Sequence, residues 1–86
     1  MTTEFESLVA DNSKTITNIA KAYSYGRNRE DLIQEILVQL WRSFASFRGE
    51  SKVETWLYRI AINTSVSFQR NEIRERKRQE SNVTKA

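Results

Sequence analysis

The chain has 86 residues, enough for one domain, and a net charge of +3 from 14 basic and 11 acidic side chains; it contains no Pro, Cys or His and only two Gly. Such a composition suits long helices rather than a loop-rich or disulfide-stapled fold, and the lack of His and Cys leaves zinc sites and thiol chemistry without their usual side chains. A chain this short buries about 60 to 65% of the surface exposed by its unfolded form, so its core is modest. No apolar run is long enough to span a bilayer, and the start MTTEFESLVADNSK lacks the basic and apolar regions of a signal peptide, which predicts a cytoplasmic protein without membrane insertion.

Gly26 and Gly49 each follow a helical pattern, where a left-handed helix-ending residue is expected, and they divide the chain into three segments. In the first, Phe5, Leu8, Val9, Ile16, Ile19, Ala20 and Tyr23 fall on one helical stripe. Asn12 is the polar member of that stripe and reads as a hydrogen-bonded core or edge residue, while the surrounding DNSK is a place where the helix can loosen or break. The second segment carries a wide apolar arc of Leu32, Ile33, Ile36, Leu37, Leu40, Trp41 and Phe44. The third opens with Ser51 and Glu54 in capping-box spacing and presents Val53, Leu57, Ile60, Ala61, Thr64 and Phe68 on one face. These patterns predict an all-α, compact three-helix domain over residues 1–80 with a charged, partly frayed C-terminal helix end, and a linker or disordered tail over 81–86.

Charge is distributed unevenly. Glu30, Asp31 and Glu35 cluster near the middle, whereas five basic residues stand against three acidic ones between Arg70 and Glu80. On the second helix the outward lane is Asp31, Gln34, Glu35, Val38 and Arg42, with Trp41 at its margin. A valine among acidic and amide groups fits an interface, although single exposed apolar residues are common on solvated faces. On the third helix a hundred-degree wheel aligns Trp56, Arg59, Asn63, Ser67, Arg70 and Arg74. Arginines neutralise phosphates, Asn and Ser reach base edges or backbone, and an aromatic ring stacks on an unpaired base, so this lane suits nucleic acid. It equally suits a solvent-facing helix whose Arg stems cover apolar neighbours.

The stretch EDLIQEILVQLWRSFASFRGESKVETWLYRIAINT resembles region 2 of the sigma-70 family of bacterial transcription initiation factors, specifically the extracytoplasmic-function (ECF) group. Its D-L-x-Q-E-x-x-x-x-L-W block, F-R-G-E-S turn and T-W-L-Y-R-I-A-x-N block occur in the family's order and spacing. The resemblance covers roughly residues 4 to 80, and the helix-turn-helix of region 4 has no counterpart. It implies that Asp31, Gln34, Glu35, Val38 and Trp41 dock on the clamp helices of the RNA polymerase beta-prime subunit. It also implies that Phe47, Arg48, Gly49 and Ser51 build a pocket for a base flipped from the non-template strand of the promoter minus-ten element, with Trp56, Tyr58, Arg59, Asn63 and Ser67 adjoining and Arg70 and Arg74 beyond. The wheel turns Tyr58 well away from the Trp56 lane, so Tyr58 joins the pocket only if the turn folds over the start of the helix. Trp56 fits a plain core role as well as a place in the pocket. The tandem Trp-Trp of the housekeeping sigma factors is missing, which shifts readout toward the turn.

No catalytic spacing of Ser, Lys or carboxylates is evident, so an enzyme is not expected, and neither is a cofactor or metal. Two competing readings stay open: a helical protein-interaction module that binds polymerase or an anti-sigma factor without reading DNA, and a general basic nucleic-acid-binding bundle.

Overall fold

The computed structural model describes residues 3–24, 28–49 and 51–84, all of whose regular structure is helical. Gly26, expected to close the first segment, and Glu50 of the F-R-G-E-S turn lie outside the described residues. Four helices follow one another: α1 Glu4–Asp11, α2 Ser13–Tyr23, α3 Arg29–Phe44 and α4 Val53–Thr84.

The first predicted segment is therefore two helices. Thr3 caps α1 by accepting the Glu6 N–H at 3.1 Å, and Glu4 and Glu6 in the first turn favour the positive end of the helix. Asn12 then ends it. Its side-chain amide donates to the Leu8 carbonyl at 2.9 Å, competing for the acceptor that a continuing helix uses, while its backbone N–H is shared between Leu8 and Val9. The Asn12 carbonyl accepts from Ile16 and starts α2 at once. The apolar stripe survives the break: Leu8, Ile16, Ile19 and Ala20 are all buried.

Leu32, Ile36 and Leu40 of α3 pack on Leu57 and Ala61 of α4, all five fully buried, with α2 closing the same core. Burying a Leu or Ile side chain is worth about 1.5 to 3 kcal/mol, so these few positions dominate the stability of a small domain. Trp41 departs from the predicted arc. It is 63% exposed, with the Phe5 ring of α1 standing against its edge. Ser65, not assigned to the core face, is fully buried one turn beyond Ala61, and its hydroxyl has no hydrogen-bond partner.

The ends of α3 and α4 also differ from expectation. Beyond Phe44, Ser46 and Phe47 donate to Ser43 and Phe44, a tightening to three-residue bonds, so α3 closes before Gly49 rather than at it. Gly49, at φ 72°, bends the following turn instead. The first α4 bond runs from the Trp56 N–H to the Lys52 carbonyl, which makes Lys52 the cap and leaves Ser51 one residue outside the predicted capping box. α4 then runs unbroken to Thr84, across the position where a tail was expected to start. At 32 residues it is about 48 Å long. It outruns the bundle and draws the domain into a 55 × 22 × 21 Å shape.

Candidate nucleic-acid interface and partner face

The turn between α3 and α4 is fastened by rings. Phe47 lies against Trp56 at a centroid distance of 4.9 Å, Trp56 meets Phe44 at 6.3 Å, and Phe44 and Trp41 both meet Phe5, at 5.4 and 5.1 Å. Trp56 packs on the core side and supports the turn. Phe47 and Ser51 are half-buried around it, while Arg48 and Gly49 are exposed. A Cβ at Gly49 meets nothing within 4 Å, so the glycine is required by its left-handed backbone rather than by crowding within the chain.

Below the turn, Arg59, Asn63, Ser67, Arg70 and Arg74 are all exposed along α4, on the lane that begins at Trp56. From Trp56 to Arg70 the lane covers about 21 Å. Arg70 and Arg74 border a shallow cleft of about 280 Å³ with Ile73 and Lys77, the last a cation that the sequence reading left out although it continues the same spacing. Tyr58 stands apart from this lane. It is 53% exposed but lies two residues on from Trp56, some 200° around the helix, and the ring the turn brings to α4 packs on Trp56 instead.

On α3, Asp31, Gln34, Glu35 and Val38 are exposed together, with Val38 at 40%, and Trp41 extends this face toward α1. Glu35 accepts a hydrogen bond from Gln39 at 3.2 Å, one turn along, and no other described partner holds it. The two faces meet in a groove of about 740 Å³ where Glu35 and Gln39 of α3 stand across from Asn63, Ser67, Glu72 and Glu75 of α4. The Asn28 amide donates to Glu72, tying the start of α3 to the middle of α4; the second Glu72 oxygen is buried without a partner among the described residues. Nothing in the sequence pairs Asn28 with Glu72, since the contact arises only when α3 packs along α4. Among the described residues, no His, Cys, Asp or Glu group could hold a metal ion, and no helix is long and apolar enough to cross a membrane.

The family described as Sigma-70 region 2 matches residues 8–80. This chain belongs to the sigma-70 family. Its region 2 is 38% identical over 64 residues to the ECF RNA polymerase sigma-E factor of Haemophilus influenzae, covering 74% of this chain and 34% of that protein. The ECF RNA polymerase sigma-E factors of Escherichia coli and Salmonella typhimurium are each 34% identical over 64 residues, with the same coverage. The chain therefore spans about a third of the length of the curated relatives it matches. No solved structure matches it significantly. The three blocks that carry the resemblance all lie inside the matched region 2 span, and α1 up to Ser7 lies before it.

Proposed function

We propose that this region 2 serves a bacterial transcription initiation factor of the ECF type, binding the clamp helices of core RNA polymerase through α3 and reading the non-template strand of the minus-ten element through the turn and α4. The observation that carries this reading is the Phe47–Trp56 packing beside a left-handed Gly49 at the head of an exposed lane of Arg, Asn and Ser. Extruding a base costs a few kcal/mol, and stacking on an aromatic ring returns about 1 to 3, so a preformed aromatic turn favours an opened strand over an intact duplex. Arg59, Arg70 and Arg74 then hold phosphates and set register, while Asn63 and Ser67 face bases or sugars.

The α3 face supplies the second half. Asp31 and Glu35 bring negative charge, Gln34 a polar amide, and Val38 and Trp41 apolar area, a mixture that fits a basic helical partner. The RNA polymerase for which the relatives are named supplies that partner for this chain, and an anti-sigma factor covering the same face would block it. On this reading the chain contributes recognition and strand separation, bond chemistry belongs to the polymerase, and the protein works in the cytoplasm.

Fluorescence anisotropy with labelled strands tests the reading. Single-stranded minus-ten DNA should bind more tightly than the same sequence as duplex and more tightly than scrambled strands. Equal binding to all three would leave a general basic nucleic-acid binder, and binding to none, with core polymerase still retained in a pull-down, would establish the protein-interaction module in its place.

A further inference from the structure

Five rings form one path through the domain, and its α1 member touches Trp41 of the α3 face but not the turn. Phe5 stands edge-on to Trp41, with planes at 74°, and to Phe44, with planes at 65°. Phe44 leads to Trp56 and Trp56 to Phe47. The two Phe5 contacts are edge-to-face and directional, while the Phe44–Trp56 and Trp56–Phe47 contacts are tilted, at 55° and 42°, and pass the constraint on by packing. α1 has eight residues and one buried side chain, Leu8, which leaves Phe5 a large share of its attachment to α3. Phe5 also precedes the span matched by the family.

We infer that Phe5 is a positioning residue for the turn. By holding Phe44 it fixes Trp56, and through Trp56 it fixes Phe47 in the orientation that receives an unpaired base; its other contact sets Trp41 on the α3 face. One side chain of α1 thereby ties the proposed polymerase face to the proposed strand-reading turn. The inference rests on the strand-reading function proposed above.

The test uses the full chain and short labelled single strands of varied sequence. Phe5→Leu keeps the apolar volume and removes the ring, and Phe5→Tyr keeps the ring. The affinity ratio between the best strand and its scrambled version should fall about threefold in Phe5→Leu, the lower range of one aromatic pair, and stay unchanged in Phe5→Tyr. Binding of the scrambled strand should not change, because the α4 arginines are untouched. Near-ultraviolet circular dichroism should lose tryptophan signal in Phe5→Leu, with the far-ultraviolet spectrum preserved. Phe5→Met provides a second ringless side chain of similar volume in case Phe5→Leu misfolds. Leu8→Ala loosens the same helix without removing a ring; an equal loss of ratio there would reduce Phe5 to a generic attachment and overturn the inference. A full ratio in Phe5→Leu alongside a lost ratio in Phe47→Ala would overturn it alone. A silent Phe47→Ala would remove the strand-reading function and this inference together.

Discussion

Phe47 rests on Trp56 with ring planes inclined at 42°, so the turn after α3 is held to α4 by side chains rather than by a backbone ladder. Such a pair is worth about 0.5 to 1.5 kcal/mol beyond the area it buries. A double-mutant cycle of Phe47→Ala and Trp56→Ala, read by urea denaturation, should return a coupling energy in that range. Strict additivity would mean that the rings merely adjoin and that the turn is held by something else.

Gly49 has a left-handed backbone and open space where a Cβ would stand. Gly49→Ala should therefore cost about 1 to 2 kcal/mol from backbone strain alone, and Gly49→Asn less, since Asn tolerates that region. DNA binding should suffer more than polymerase binding. A Gly49→Asn variant as unstable as Gly49→Ala would show that the cost is not conformational.

Glu35 is exposed and, among the described residues, is bonded along its own helix to Gln39. Glu35→Arg should leave thermal stability within about 0.5 kcal/mol, as expected for a surface position, and abolish binding to the clamp coiled coil by placing like charges together. Pull-down of core polymerase measures this, and undiminished capture removes the face from the interface.

Phosphate contacts show in salt dependence. With three or four contacts from Arg59, Arg70, Arg74 and a neighbour such as Lys77, log affinity for a single strand should fall with log salt at a slope of about −2 to −3. Arg70→Ala and Arg74→Ala should each flatten it by about 0.7 and weaken all sequences alike. A slope that neither substitution changes would place the phosphates elsewhere.

Ser65 is fully buried with an unpartnered hydroxyl. Ser65→Ala removes a desolvated polar group and raises helix propensity, so it should stabilise the domain by about 1 kcal/mol. A lower melting temperature would instead mean that this hydroxyl gains a partner in solution.

Periodicity made much of this fold readable. Leu32, Ile36, Leu40, Leu57 and Ala61 recur at helical spacing and are the fully buried apolar side chains of α3 and α4. The break at Asn12 was visible only as an option, because the contest between its amide and the backbone for the Leu8 carbonyl depends on how α1 packs. Trp41 stood on the border between arc and outward lane, and its exposure depends on how α1 packs across α3, which no local pattern fixes. The Ser51 capping box had the right letters, yet the helix begins after Lys52. For the site, the α3 and α4 lanes were legible from the wheel, while the path from Phe5 to Phe47 was not, since it joins rings from separate segments that share no local pattern.

The reach of α4 beyond the bundle has a thermodynamic consequence. From Ile73 to Thr84, about 18 Å of helix, the chain is anchored at one end by an already folded turn, so nucleation is complete and only propagation remains. The 3.7 Å Arg78–Glu75 pair stabilises that propagation by a few tenths of a kcal/mol, and the like charges of Arg74 and Arg78, four residues apart, oppose it by a similar amount. Order in this stretch is consequently a sliding local equilibrium, detached from the cooperative melting of the core. Warming shortens the ruler along which the arginines are spaced while the Phe47–Trp56 end stays intact.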